Sequence, residues 1–203
     1  MERITEEIDR EGFRACVGII ISRGGGEVLW ARSLKNHGWQ FPQGGIDVGE
    51  TAEEAMLREL HEEVGLDAAQ VRVLGRTDGW LYYRLPLRYQ RKHASPRCVG
   101  QKQIWFVLEL TAPETSIRLN AVDHPEFDRW RWAEWWHAVG DAIFFKRQVY
   151  DLALTELAPL VFPVAPPPRP RCEGRIGHWR APRSPYRIGK GAVKRASPRQ
   201  GSR

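Results

Sequence analysis

Several short stretches of the chain are apolar and rich in β-branched or aromatic residues, and polar or glycine-rich segments separate them. The β-branched runs ACVGIIIS (15–22) and EVLWARS (27–33) predict two strands, and the glycines between them predict a hairpin. Three later apolar segments, VRVLGRT, WLYYRL and QIWFVLEL, predict further strands. RWRWAEWW (129–136) predicts a strand that runs into a helix, with its tryptophans packed in the core.

Two other segments have the period of a helix. Thr51 is a typical N-cap residue, acids follow it in the first turn, and Gly65 is a typical C-terminal stop. Met56, Leu60 and Val64 recur at four-residue spacing between these signals, so 51–64 is predicted as a helix. Residues 143–160 also place apolar side chains at helical intervals. The Gly-rich segment 37–50 between the strands and the first helix predicts a loop.

This mixture of elements predicts one α/β sandwich domain over residues 1–162. From Pro163 onward the chain is dominated by Pro, Gly, Arg and Ser, so residues 163–203 are predicted to be a disordered tail. The tail holds 11 Lys and Arg against one acid, a net charge of +10, whereas the rest of the chain holds 20 against 24, a net charge of −4. Such a tail either binds polyanions such as RNA non-specifically or only keeps the protein in solution.

The three cysteines, Cys16, Cys98 and Cys172, are too widely spaced to predict a disulfide framework or a zinc site. The charged N-terminus does not resemble a signal peptide, and no apolar run approaches the roughly 18 residues of a membrane helix. A cytoplasmic protein without membrane contact is therefore expected.

The segment RELHEEVG (58–65) concentrates acids within the first predicted helix. At about 100° per residue, Glu59, Glu62 and Glu63 share an arc of about 100° that borders the apolar stripe. Like charges beside a buried stripe raise each other's pKa, and a divalent cation with oxygen ligands removes that cost. A solvated acidic helix face is the alternative, whereas a metal site at the junction of loop and helix would suit phosphate chemistry.

The spacing G-x5-E-x7-R-E-L-x-E-E-x-G-L begins at Gly44 and ends at Leu66. In this pattern the chain resembles the Nudix hydrolases. Three further segments, GWQFPQGGID, GQKQIWFVLEL and FFKRQVYDLAL, together with PEFDRWRW, are similar to the bacterial RNA pyrophosphohydrolase branch of that family. The resemblance covers residues 12–160 and implies an α/β/α sandwich with a mixed sheet.

The resemblance also implies roles for the residues of the box. Glu59, Glu62 and Glu63 would bind Mg²⁺ or Mn²⁺ and carry the catalysis, with a ligand from the Gly44 carbonyl. Glu126, in PEFDRW, would add a carboxylate that binds metal or acts as the base. Glu50 and Arg58 would brace the loop against the helix, and His61 is interpreted as a surface residue because it points about 100° away from its neighbours.

Outside the box, the resemblance implies that Arg14, Lys146 and Gln43 hold 5′ phosphates and that Phe145 stacks on an RNA base. The related branch has a second arginine where this chain has Ser33, so the cationic half of a base clamp is expected to be missing.

The function implied is hydrolysis of 5′-triphosphate or diphosphate RNA ends to monophosphate, which promotes mRNA decay. Two alternatives remain open: hydrolysis of a dinucleoside polyphosphate such as diadenosine tetraphosphate, and a catalytically silent Nudix module that binds RNA. The full acid set argues against the silent module. A monomer is expected.

Overall fold

The computed structural model describes residues 2–90 and 95–169. The part of the predicted tail from 170 to 203, including Cys172, lies outside the described residues. The elements in chain order are β1 (Phe13–Ser22), β2 (Val28–Ser33), β3 (Trp39–Gln40), β4 (Gln43–Gly45), α1 (Ala52–Val64), β5 (Val71–Arg76), β6 (Leu81–Arg84), β7 (Gly100–Leu110), β8 (Phe127–Ala133), α2 (His137–Asp141) and α3 (Arg147–Val161). Within the described ranges, no helix is long and apolar enough to cross a bilayer.

The strands form one mixed sheet. β1 runs parallel to β7, from Phe13 opposite Gly100 to Ser22 opposite Glu109. The other strand pairs are antiparallel, including β1 with β2, which confirms the predicted hairpin. The strand order is β3-β2-β1-β7-β5, with β4 paired to β1, β6 to β7 and β8 to β2.

Both faces of this sheet are covered by helices. On one face, apolar residues of α1 pack against alternate residues of β1 such as Val17 and Ile19. On the other face, α2 and α3 pack against Ile20, Trp30 and Trp105. β1 is therefore buried on both faces, and from Ala15 to Ile21 its sequence is continuously apolar rather than alternating. This arrangement is the α/β/α sandwich that was expected.

Two predicted boundaries were wrong. The 37–50 segment is not only a loop, because it contains β3 and β4, whose backbones pair with β2 and β1. α3 begins at Arg147, so Phe144 and Phe145 lie in the turn before the helix rather than inside it. The helix start was predicted too early because Phe145 continues the apolar spacing of the helix. It packs partly against the core although its backbone is not helical.

Residues just past 162, the predicted end of the domain, also contact it. Residues 163–169 form neither helix nor strand, but they lie against the domain. Trp136 Nε1 donates to the Pro167 carbonyl at 2.6 Å, and Arg169 Nη1 pairs with Asp151 Oδ1 at 2.8 Å. The Arg169 guanidinium also lies over the Trp136 ring, 4.5 Å from its centroid. Composition could not indicate these contacts because they join residues that are far apart in sequence.

Candidate active site

Helix α1 is fixed at both ends by local hydrogen bonds. Thr51 Oγ1 accepts from the Glu54 backbone N–H at 3.2 Å, and Glu54 Oε2 accepts from the Thr51 N–H at 2.8 Å, which completes a capping box. At the other end Gly65 adopts the left-handed conformation, with φ of 67°, and donates to the His61 carbonyl at 2.9 Å. These caps confirm the predicted helix and fix which of its residues face the sheet.

Three glutamates of α1, Glu59, Glu62 and Glu63, line a cavity of about 290 Å³. Glu126 lines the same cavity, together with Val122, Asp123 and His124 from the loop before β8. The structure therefore brings all four predicted carboxylates to one cavity. The sequence motifs did not indicate that Val122, Asp123 and His124 line this cavity, although Asp123 and His124 lie within three positions of Glu126.

Glu63 and Glu59 are held in a setting that disfavours their charged forms. Glu63 is 2% exposed, and burial, with the nearby charge of Glu59, raises its pKa well above the usual range. The Gln43 backbone N–H donates to Glu63 Oε2 at 2.8 Å and partly opposes this shift. Burial also raises the pKa of Glu59, against the hydrogen bond from Arg58. A bound cation would remove the cost of keeping two buried carboxylates ionised.

Glycine at 44 and 45 allows two charged side chains to approach the same strand. A Cβ on Gly44 would lie 1.9 Å from the Glu59 carboxyl carbon, and a Cβ on Gly45 would lie 2.4 Å from Arg14 Nη2. β4 therefore lies between a carboxylate and a guanidinium, each in contact with its backbone. The Gly44 backbone lies next to the Glu59 carboxylate. A carbonyl that shares a metal ion with Glu59 would need to be this close to it.

Arg58 joins the loop to the helix. Its guanidinium donates to both carboxylate oxygens of Glu50 at 2.9 Å, to Glu59 Oε1 at 2.8 Å and to the Gly45 carbonyl at 2.8 Å. A weaker contact of 3.3 Å reaches Glu62. The Glu50 hydrogen bonds are the main cause of the raised pKa of Arg58. The bracing role proposed for Glu50 and Arg58 requires contacts of this kind.

The carboxylates are not yet gathered around a single point. Within residues 2–90 and 95–169, no three Asp, Glu, His or Cys side chains are already placed so that they could hold a metal ion together. Glu59 is turned toward Arg58, and the Glu126 carboxylate accepts from Lys35 Nζ at 2.5 Å. The Glu62 and Glu126 side chains remain 45% and 40% exposed, so they are free to rotate toward a cation. These carboxylate oxygens therefore fit a hard divalent ion, once the contacts of Glu59 with Arg58 and of Glu126 with Lys35 are replaced by contacts with the ion.

Two cations lie beside the acids without being neutralised by them. Lys146 is 9% exposed, and burial lowers its pKa to about 8, although the charge of Glu63 acts in the opposite direction. Its Nζ donates to Gln40 Oε1 at 3.2 Å, and no carboxylate in the described part of the chain lies within ion-pair distance. Arg14 pairs with Glu7 at 3.0 Å, while its buried Nε has no hydrogen-bond partner among the described residues. A buried ammonium without an ion-pair partner and a partly exposed guanidinium with an unused N–H both favour an anionic ligand.

The other two predicted residues outside the box, Gln43 and Phe145, contact tyrosine side chains. Gln43 Oε1 accepts from the Tyr150 hydroxyl at 3.4 Å, on the far side of the sheet from α1. The Phe145 ring is half-buried against Tyr83, at 5.9 Å between centroids and 25° between planes. Gln101 Oε1 accepts from the Tyr83 hydroxyl at 2.7 Å, so it is a neighbour of this cluster.

Position 33 differs from what a base clamp requires. Ser33 is 3% exposed, at an irregularity in the pairing of β2 with β8, and its Oγ accepts from the Lys35 backbone N–H at 3.2 Å. Arg32 pairs with Asp128. Neither side chain therefore supplies a free guanidinium at this point. His61 is exposed and contacts Asp67 at 2.9 Å, outside the set of residues that line the cavity.

Comparison with known proteins identifies the family. Residues 12–153 match the NUDIX domain, which is most of the chain. This chain belongs to the Nudix family. Nudix hydrolases generally use divalent metal ions, in agreement with the oxygen-rich cavity.

Several Nudix relatives match this chain over nearly their whole length. The RNA pyrophosphohydrolase of Alkalilimnicola ehrlichii is 53% identical over 80% of this chain and 90% of its own. That of Pseudomonas paraeruginosa is 55% identical over 75% of this chain and 96% of its own. Among solved structures, the dihydroneopterin triphosphate pyrophosphohydrolase of E. coli (TM-score 0.56, 21% identity, 70% of this chain and 94% of that one) and an Ap4A hydrolase of C. elegans (TM-score 0.52, 22% identity, 70% and 95%) share the fold.

Proposed function

We propose that this protein is an RNA pyrophosphohydrolase, which converts 5′-triphosphate or diphosphate RNA ends to 5′-monophosphate and so promotes mRNA decay. The observation that carries the proposal is the pairing of opposite charges across β4. The buried Glu59 carboxylate lies against Gly44, and the Arg14 guanidinium lies against the next residue, Gly45. The relatives named RNA pyrophosphohydrolase support the same substrate, because they match this chain at 53–55% identity.

The acids would hold Mg²⁺ or Mn²⁺. The ligands would come from the Gly44 carbonyl and from Glu59, Glu62, Glu63 and Glu126. A divalent cation in this cavity would neutralise charge on the phosphate oxygens and make a neighbouring water more acidic. The chain's own contribution is to hold these oxygens: α1 fixes three of the carboxylates, and Arg58 braces the helix against the loop.

The cations would hold the phosphates that flank the scissile bond. Lys146 has no competing carboxylate within ion-pair distance in the described residues, and Arg14 has spare donor capacity. Charge-assisted hydrogen bonds from such groups are among the stronger polar contacts a protein makes with phosphate. Gln43 would add a neutral polar contact from the same strand as Gly44.

Hydrolysis of a dinucleoside polyphosphate is the second candidate. The observation in its favour is the buried Ser33, which cannot supply a cation over an RNA base. A substrate that is held mainly by its phosphates would lose less from this change than RNA would. The C. elegans Ap4A hydrolase shares only the fold at 22% identity, so it does not favour this substrate.

A side-by-side turnover assay decides between the two. Purified protein is given Mg²⁺ with 5′-triphosphate RNA or with diadenosine tetraphosphate, and kcat/KM is measured for each, with the Glu63→Gln protein as a control for contaminating hydrolases. We expect the higher kcat/KM on RNA. A higher value on diadenosine tetraphosphate would assign the second function, and no turnover of either substrate would contradict both.

A further inference from the structure

Three neighbouring side chains beside Phe145 form an exposed surface. Arg88 and Tyr89 follow β6, and Phe144 lies in the turn before α3; together they are called the Phe144 patch. Phe144 is 54% exposed and Tyr89 45% exposed. Two large rings exposed side by side are unusual on a surface that has no binding role.

A guanidinium already lies over both rings. The Arg88 guanidinium carbon is 5.1 Å from the centroid of Tyr89 and 5.7 Å from that of Phe144. Arg88 is itself exposed, and no carboxylate in the described part of the chain pairs with it. Its positive charge is therefore free to meet an anionic or aromatic ligand.

The patch is continuous with the candidate active site. The Phe145 ring lies 5.4 Å from Phe144 and 5.1 Å from Tyr89, measured between centroids. Phe145 in turn precedes Lys146, whose charge interacts with that of the buried Glu63. A chain of nucleotides whose 5′ phosphates contact Lys146 would therefore pass Phe145 and reach the Phe144 patch.

We propose that the Phe144 patch stacks a nucleobase of single-stranded RNA, downstream of the 5′ end that is hydrolysed. The inference rests on the proposed function and names a second point of contact for the same substrate. The base would lie against the Phe144 ring, with Arg88 over its other face. Contacts of about 3.5 Å on each face need about 7 Å in total, so the exposed Arg88 side chain would move outward slightly.

RNA fits the patch better than a protein partner does. Aromatic rings bind any base through its flat face, and an arginine adds stacking as well as attraction to the phosphates. A stable protein interface buries about 800 Å² on each partner, which is far more than these three side chains offer. A dinucleoside polyphosphate has no further base beyond its two ends, so only RNA would use the patch.

The test compares RNA length with the patch removed. kcat/KM is measured on 5′-triphosphate RNA of two and of four nucleotides, for wild type and for Phe144→Ala and Arg88→Gln. Val73→Ala is the matched control, because Val73 is also an exposed apolar residue but lies away from the patch. Val73 pairs with Leu108 of β7, whereas Tyr83, which contacts Phe145, pairs with Gln101, seven residues earlier on the same strand. Phe144→Ala should lower kcat/KM on the tetranucleotide by about 5- to 30-fold and on the dinucleotide by less than about 2-fold.

A second measurement does not depend on turnover. Wild type and Phe144→Ala, each also carrying Glu63→Gln, are titrated with a tetranucleotide that carries 2-aminopurine at its third position. Stacking on an aromatic ring quenches this base, and we expect quenching that Phe144→Ala abolishes.

The outcomes separate the two proposals. Wild-type turnover of RNA with equal loss on both lengths, or with no loss, would overturn the stacking inference and leave the proposed function standing. Quenching that depends on Phe144, in a protein that does not turn over RNA, would overturn the proposed function and leave the stacking inference standing. A wild-type dimer that Phe144→Ala converts to a monomer would assign the patch to a second copy of the chain and overturn the inference.

Discussion

At the scale of single residues, the site is defined by charges that are buried without full compensation. Glu63 and Lys146 are both buried. Burial raises the pKa of Glu63 and lowers the pKa of Lys146, so it favours the neutral form of each side chain. Each group is expensive to keep charged in the free protein. A bound cation and a bound phosphate would relieve these costs, which explains why such side chains occur next to each other in a domain whose core is otherwise apolar.

Glu63→Gln is expected to separate catalysis from folding. The substitution keeps the volume and leaves an oxygen to accept from the Gln43 N–H, but it removes the carboxylate. We expect kcat to fall by roughly 10²-fold or more, because a ligand that serves the transition state is lost. The melting temperature should stay the same or rise, since a buried charge is removed. Glu53→Gln, in the same helix but not among the residues that line the cavity, is the control; equal kcat in the two variants would contradict the metal site.

Lys146→Met is expected to change how stability depends on pH. The pKa of Lys146 is lowered to about 8 in the folded protein, against 10.5 for the usual side chain. Between these two values the unfolded chain binds a proton that the folded chain does not, so the free energy of unfolding should rise with pH across this window. The contribution is on the order of 3 kcal/mol at most.

Denaturant unfolding in metal-free buffer at pH 7.5, 9 and 10.5 measures this effect. The difference in unfolding free energy between wild type and Lys146→Met should grow in favour of wild type as pH rises. Lys102→Met is the comparison, since Lys102 pairs with Asp9 at 2.8 Å. A difference between wild type and Lys146→Met that does not vary with pH would show that the ammonium is not destabilised by burial.

At the scale of elements, helix α1 carries three of the four acids and owes its position to its ends. Thr51 and Gly65 fix the first and last turns, and the buried stripe of Met56, Leu60 and Val64 fixes which side faces the sheet. The glutamates then border this stripe, so the same packing that stabilises the helix determines where the metal ligands point.

Thr51→Ala should weaken α1 without removing any ligand. The loss of the side-chain acceptor for the Glu54 N–H is expected to lower the free energy of unfolding by about 1 kcal/mol. Thr51→Ser keeps the acceptor and should lie close to wild type. Urea unfolding of the three proteins measures the effect. If the alanine and serine variants unfold at the same urea concentration, the cap does not stabilise the helix.

At the scale of the whole molecule, the chain divides by composition into an acidic body and a basic tail, and the first residues of the tail contact the body. Pro167 and Arg169 contact Trp136 and α3. Just before them, the Phe162 ring packs edge-on against Trp135, at 5.3 Å between centroids. We therefore propose that the folded domain continues to residue 169.

Two truncations test this boundary. Protein ending at Arg169 should melt at the same temperature as the full chain. Protein ending at Phe162 loses the contacts to Trp136 and Asp151, so it should melt several degrees lower, about 2–4 °C for each kcal/mol lost in a domain of this size. Differential scanning calorimetry compares the three forms. Identical melting of the two truncated proteins would place the boundary back at residue 162.

The tail should add non-specific RNA affinity. Residues 170–203 carry 10 Lys and Arg and one acid, so contacts with phosphates would release counterions. We expect the full chain to bind a long RNA more tightly than the protein ending at Arg169 at low salt, with a steeper dependence of log Kd on log salt. Fluorescence anisotropy between 50 and 300 mM salt measures both. Parallel salt dependences would make the tail a solubilising extension only.

The sequence by itself determined the local features of the protein. The box from Gly44 to Leu66, the caps of α1 and the apolar strands are all contained within short segments, where hydrogen bonding and side-chain period act between near neighbours. That is why α1 was predicted within one residue at each end, and why the residues of the box were enough to show the resemblance to the family.

Only the tertiary structure decided which distant residues meet. Glu126 reaches the acids of α1 because its loop leads into β8, which pairs with β2, and Lys146 lies near Glu63 because α3 packs against the sheet. The exposure of Phe144 and the burial of Ser33 are likewise set by backbone turns that apolar spacing does not indicate. These features depend on strand pairing and packing between distant residues, such as Val28 and Ala133 in the pairing of β2 with β8, and a pattern within one segment carries no information about such contacts.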